Sequence, residues 1–449
     1  MSRTFADTSS TPGIQPATAI IGPFQRFFSK IVTGSYPLFI TATAALIWAN
    51  VSANSYHSFW HMEVALSLGP FHISKSLVHW IDEAFMTLFF FTVGLEIKRE
   101  VLVGGLSSPQ KAILPIAAAV GGMLFPAMIY MAFNYGTPAA KGWGIPMATD
   151  IAFSLAVLAV LRDRVPAGLR LFLSAFAIAD DLGAVLVIAI FYTQALVWKY
   201  LIYSLLFLAG LAVANRLWIR KTLVYVILGI GMWLTILQSG VHATVAGVVV
   251  AMFIPARGKY DTDTFVRNVK TYLKEIECDS DGGLSILMNR RHLNAVQAID
   301  LACIDVETPL QRLEHALQSW VAYMVLPLFA LANSGLVFKG MDVTQSFGNP
   351  VTLGVLFGLV AGKPLGIFLF AYLACRFIDA RLPQGVRWSH IFGTALLGGI
   401  GFTMSLFISG LSFASAQFLE FSKLGIILAS VISAILGLVI LGFSSIEAE

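Results

Sequence analysis

Twelve apolar runs follow one another along the sequence, near residues 35–52, 80–97, 112–133, 147–161, 168–193, 197–215, 222–237, 241–255, 319–337, 350–375, 389–412 and 422–443. Many of them approach the roughly 20 residues that a helix needs to cross a hydrocarbon core about 30 Å thick. Lipid cannot satisfy backbone N–H and C=O groups, so segments lying in it must close their hydrogen bonds internally, as helices do. Charge points the same way: 57% of the residues are hydrophobic and 12% charged, with a mean hydropathy of +0.79, too little charge to cover a soluble surface. The expectation is an all-α polytopic membrane protein of twelve transmembrane helices. Residues 1–34 form a cytoplasmic tail in this reading, and 35–449 one transmembrane domain with a long cytoplasmic loop, 256–318.

Between the first two runs, residues 55–75 carry alternating apolar positions (Val64, Leu66, Leu68, then Phe71 and Ile73) around Gly69-Pro70, which predicts a small β-hairpin outside the membrane. With the N-terminus inside, twenty-three of the 29 Lys and Arg fall on the cytoplasmic side and five outside; leaving out the eight on the long loop, fifteen against five still fixes the orientation. Both termini are then cytoplasmic. The first thirty residues, with Pro12, Pro16 and Pro23, lack the apolar core of a cleavable signal peptide. Cys278, Cys303 and Cys375 fit neither a disulfide framework nor metal spacing. No nucleic-acid partner and no cofactor is expected.

Against this background three carboxylates stand out. Residues 142–153 (GWGIPMATDIAF) and 177–184 (AIADDLGA) are apolar enough to lie in lipid, yet they carry Asp150, Asp180 and Asp181. An acid at the bilayer centre costs about 2.5–3.5 kcal/mol even on lenient scales, so one kept there points to function. The charged turn between the segments, 162–170, must reach water, and Asp150 lies twelve residues before it and Asp180 ten after it. At 1.5 Å per residue those separations are about 18 and 15 Å, which puts both acids near the midplane on adjacent antiparallel helices.

A buried cation matches them. Lys363 precedes the cytoplasmic Arg376 by thirteen residues, about 20 Å of helix, and so sits at a similar depth, beyond the reach of a snorkelling side chain. An ion pair with the midplane acids follows. Two runs also carry helix breakers in corresponding places: Gly142, Gly144 and Pro146 in the fourth, Gly398, Gly399 and Gly401 in the eleventh. Each is the middle member of a three-helix group, and the two groups run in opposite directions. Paired broken helices in inverted repeats point to a transporter's binding site, because broken ends offer unpaired carbonyls and amides to an ion; NhaA is one of the general examples of that rule.

Taken together, 148–153 (ATDIAF), 180–183 (DDLG), 239–244 (SGVHAT), 362–366 (GKPLG) and 398–405 (GGIGFTMS) resemble, in order, the NhaA-type sodium/proton antiporters of bacteria. The resemblance covers about 35–443. It implies that Asp181 is the principal sodium ligand and proton carrier, that Asp180 pairs with Lys363, and that Thr149, Asp150, Gly399 and Gly401 shape the crossing of two broken helices. It further implies a cytoplasmic pH-sensing region onto which Glu96, Glu100, His242, Glu314 and His315 map, and a homodimer joined through the hairpin 55–75. For Asp150, capping a broken helix end is an equal alternative. The loop 256–318, with a helical stretch over 284–306, is longer than a compact member needs, and the doubled acid Asp82-Glu83 has no assigned role.

The chain therefore reads as a secondary active antiporter of a bacterial cytoplasmic membrane, not an enzyme. Protons enter and Na⁺ leaves, with Li⁺ as a second candidate cation. A small hard cation prefers oxygen ligands, and carboxylates, a threonine hydroxyl and freed carbonyls supply them. The same carboxylates bind protons, so the two ions compete for one site. An intramembrane aspartyl protease also needs buried acids, but Asp180 and Asp181 are adjacent, about 100° apart on one helix, and the chain has no Gly-x-Gly-Asp. A sodium-coupled symporter of an organic solute is the alternative reading.

Overall fold

The computed structural model describes residues 36–444 except 69–70, 162–164, 194–195, 259–261, 278–289 and 340–341. The expected tail 1–34, the hairpin turn Gly69-Pro70, Arg162 and Arg164, and the first part of the helical stretch 284–306 lie outside the described residues. Over its described residues each apolar run is mostly helix, with non-helical stretches that include 148–150, 241–243, 334–337 and 399–401. The order is α1 (Tyr36–Val51), α2 (Ala53–Trp60), strands β1 (Glu63–Leu68) and β2 (Phe71–Ser76), α3 (Leu77–Val103), α4 (Pro109–Asn134), α5 (Pro138–Met147), α6 (Ile151–Val160), α7 (Ala167–Phe191), α8 (Trp198–Arg216), α9 (Thr222–Leu237) and α10 (Thr244–Phe253). There follow α11 (Thr262–Glu277), α12 (Arg290–Val306), α13 (Pro309–Asn333), α14 (Val343–Gly348), α15 (Pro350–Phe377), α16 (Trp388–Gly398), α17 (Phe402–Ser412) and α18 (Ala416–Phe443).

Among the described residues seven of these helices are long and apolar enough to cross a membrane, and ten spans result if each of three sharply bent pairs is one. The pairs are α1 with α2, α5 with α6 and α16 with α17; α9 and α10 are shorter apolar helices. The expected twelve is thus a finer count than length and composition support. Three longer helices contain a single widened π turn, at Ile81–Phe85 in α3, Val321–Val325 in α13 and Gly358–Gly362 in α15. Such turns are rare and collect at functional sites. The third ends on the residue before Lys363.

Small residues let the core helices approach closely. A methyl group at Gly121 of α4 would run into the Gly366 carbonyl of α15, and one at Gly366 into the Gly121 carbonyl, so the two backbones touch there.

Three boundaries differ from expectation. The hairpin is present, β1 pairing antiparallel with β2 from Glu63 opposite Ser76 to Leu68 opposite Phe71, but its first third is helix: Tyr56 and Trp60, one turn apart in α2, bury against Trp48. The long loop is shorter than 256–318, because α13 already starts at Pro309. Thr308 and Gln311 form a reciprocal capping box there with Pro309 at the first helical position, a start signal the apolar pattern does not contain. The loop also holds α11, whose apolar residues Phe265, Val266, Val269, Leu273 and Ile276 recur at helical spacing among polar ones and so form no continuous apolar run, packed beside α12.

Candidate functional site

Both broken helices bend by 43°, and their breaks lie against each other. The Asp150 amide donates to the Ile400 carbonyl at 2.7 Å, and the Thr149 hydroxyl to the Gly398 carbonyl at 2.9 Å. Close approach here needs glycine for space. A Cβ at Gly401 would stand 3.1 Å from the Leu359 side chain and 3.2 Å from the Ala148 carbonyl, and one at Gly399 would stand 2.6 Å from the Ser433 hydroxyl.

A helix end leaves four unpaired backbone groups, and inside a membrane each must find a protein partner. At this crossing side chains supply many of them. Asp150 caps two helices at once: one carboxylate oxygen accepts from the Phe153 amide at the start of α6 (2.9 Å), the other from the Thr403 amide (3.0 Å) and hydroxyl (2.6 Å) at the start of α17. Two helix N-termini, each worth about half a positive charge, thus face one carboxylate and balance it. The capping role weighed for Asp150 is therefore the one its contacts describe. At the carbonyl ends, Ser405 donates to the Ile145 carbonyl (2.8 Å) and Ser154 to the Leu397 carbonyl (2.9 Å).

Lys363 binds a further carbonyl. Its ammonium donates to Met147 O at the end of α5 and to Asp180 Oδ2 at 2.8 Å, and neither charged side chain is exposed. Its positive charge thus meets the negative end of a helix dipole as well as a carboxylate. Asp180 and Asp181 sit near the middle of α7, both buried. Among the described residues, Asp180 Oδ1 and both oxygens of Asp181 have no hydrogen-bond partner. Three acceptor oxygens are left open in a site whose other charges are balanced.

The residues mapped to pH sensing do not form one group. Glu100 and Glu314 meet on Arg99, at 3.1 and 2.5 Å, and Glu96 lies one turn before Glu100 on the same face of α3. Glu314 is buried although it lies near the start of α13. His315 turns outward, 66% exposed, toward Glu307 at 3.5 Å. His242 is elsewhere: its Nδ1 lies 3.8 Å from Glu83 Oε1, and Glu83 precedes Glu96 by thirteen residues, about 20 Å of helix. The unassigned Asp82 accepts from the Asn333 amide at 2.8 Å.

Thr403, Ser154 and Ser405 complete the site and were not singled out from sequence. The available signal was accounting: two broken helices must leave orphan groups, and hydroxyls within a few residues of each break are the nearest partners.

The Na⁺/H⁺ antiporter 1 family matches residues 25–441. The chain is 46% identical over 420 residues to Na(+)/H(+) antiporter NhaA 1 of Saccharophagus degradans, covering 93% of this chain and 90% of that protein. It is 48% identical over 422 residues to Na(+)/H(+) antiporter NhaA of Acidithiobacillus ferrooxidans, with 93% and 97% covered. Against Na(+)/H(+) antiporter NhaA of Oleidesulfovibrio alaskensis the identity is 44% over 420 residues, with 93% of each covered.

Proposed function

Because this chain belongs to the Na⁺/H⁺ antiporter 1 family, it is a multi-pass membrane protein that exchanges Na⁺ for H⁺, and we propose that both ions pass through the carboxylates of Asp180 and Asp181. The observation that carries this reading is the charge balance. Asp150 faces two helix N-termini and Lys363 faces Asp180, while both Asp181 oxygens lack a partner among the described residues. A buried carboxylate without a counter-charge is costly. A proton removes its charge and Na⁺ balances it, so each ion excludes the other, and exchange follows if the site opens to one side of the membrane at a time. Li⁺, equally hard, fits the same oxygens.

The equal bends of α5–α6 and α16–α17 support two inverted repeats that cross at their broken members. In this arrangement the chain has twelve spans in a bacterial cytoplasmic membrane, with the tail 1–34 and both termini inside, and two copies join through the hairpin. Arg99, held between Glu100 and Glu314, supports a cytoplasmic regulatory cluster, with Glu96 as a third acid within reach.

Stoichiometry follows from which groups empty. If Asp181 and either Asp180 or Lys363 both lose a proton for each Na⁺ bound, one net charge moves per cycle, and membrane potential contributes about 2.3 kcal/mol per 100 mV. Proteoliposomes at equal pH, given an interior-negative potential with K⁺ and valinomycin, should then expel Na⁺ against no pH gradient. Efflux that ignores voltage removes the two-proton reading and leaves antiport standing. No Na⁺-dependent change of a pH dye at any pH from about 6.5, the unperturbed histidine pKa, up to about 9 removes the exchange reading itself.

A further inference from the structure

One half-helix at the crossing is wound abnormally. All ten residues of α5 form a 3₁₀ helix, whereas runs beyond 3–4 residues are uncommon because their hydrogen bonds are poorer. Tyr192, the residue directly after α7, reaches into it: its hydroxyl donates to the Lys141 carbonyl at 2.8 Å and accepts from the Gly144 amide at 3.3 Å. These are the two groups that a 3₁₀ helix pairs with each other, so the hydroxyl bridges one rung of the helix from outside. Gly144 makes room for it, since a Cβ there would stand 2.7 Å from the Tyr192 oxygen. The helix carrying Asp180 and Asp181 therefore grips α5 twice, directly through Tyr192 and, at the other end, through Asp180, Lys363 and the Met147 carbonyl.

We propose that the Tyr192 hydroxyl is a positioning group that holds α5 in its 3₁₀ form and so keeps the Met147 carbonyl on Lys363. Relaxed to an α-helix, ten residues shorten from about 20 to about 15 Å, at 2.0 and 1.5 Å per residue. A carbonyl at one end of such a segment can move by several ångströms. Lys363 then has only the carboxylates to bind and competes with Na⁺ for them. Tyr192 thereby sets sodium affinity without touching the ion.

This rests on exchange at Asp180 and Asp181, and its test separates binding from transport. The full-length protein in detergent is titrated with NaCl and the concentration giving half the thermal stabilisation is read, beside KM and kcat in proteoliposomes. In Tyr192→Phe both the half-stabilising concentration and the KM for Na⁺ should rise at least about fivefold while kcat stays within about twofold, as expected when binding is lost equally from the ground and transition states. Gly144→Ala, which crowds the same hydroxyl from the other side, should shift them in the same direction. Tyr130→Phe is the control: it removes one bond to α5, from Tyr130 to the Ala139 carbonyl at 2.9 Å, without bridging a rung, and should lower the melting temperature with Na⁺ dependence unchanged. Unchanged Na⁺ dependence in Tyr192→Phe, or an equal shift in Tyr130→Phe, overturns the proposal. The detergent titration gives this answer even if transport fails in every protein, a result that would count against the exchange reading instead.

Discussion

Asp181→Asn is expected to reduce Na⁺-dependent proton flux to background in a protein that still inserts and folds. The amide fills the same volume, but it neither binds a proton at working pH nor carries a charge for Na⁺. Asp181 is the acid whose two oxygens have no protein partner among the described residues, so the substitution breaks no hydrogen bond and should leave the melting temperature near that of the wild type. Retained flux together with retained fold would move the site elsewhere. Asp180→Asn should be as inactive for a second reason, because it leaves Lys363 without its carboxylate.

That second reason predicts a stability asymmetry. Lys363 and Asp180 meet at 2.8 Å with no exposure. Removing one member of such a pair costs about 3–5 kcal/mol, since the remaining charge stays buried and unpaired, whereas removing both can be nearly neutral. Lys363→Ala should therefore melt lower in detergent than the double variant Lys363→Ala, Asp180→Ala. The Met147 carbonyl, which also loses its partner, lowers both variants alike and leaves the difference intact. A double variant that melts at or below the single one would show that the pair contributes no coupling.

The central pair was legible in the sequence because lipid makes depth measurable. Counting from the charged turn places Asp150 and Asp180, and counting back from Arg376 places Lys363, at one level, where opposite charges have few other partners; that Asp180 is the partner is what the family resemblance implies. Breaks were legible from clustered glycines, which weaken a helix, and the fourth and eleventh runs that carry such clusters are bent; a helix breaker alone is not enough, since α4 holds Pro115 and Pro126 and stays one helix. What stayed hidden depends on contacts far apart in sequence or on backbone detail. Arg99 meets Glu314 across 215 residues, and no periodicity brings those two together. The apolar pattern missed the start of α13 because its first turns, from Pro309, are polar on one face; Thr308 and Gln311 held that signal. His242 and the doubled acid Asp82-Glu83 each stand out in the sequence but nothing there joins them, and only the packing of α3 against α10 brings His242 and Glu83 within 3.8 Å. The 3₁₀ winding of α5 follows from neighbours such as Tyr192, which lies 48 residues beyond Gly144.

The account stands on protons and sodium sharing one carboxylate, and proton release on sodium binding tests it most directly. Purified protein, in weakly buffered detergent at a pH where transport is active, is mixed with NaCl while a pH indicator follows the solution, with choline chloride as the ionic-strength control. The account predicts prompt acidification that saturates with Na⁺, follows the same concentration dependence as Na⁺ binding, and is absent in Asp181→Asn. Saturable Na⁺ binding with no proton released, or equal release from Asp181→Asn, would contradict it.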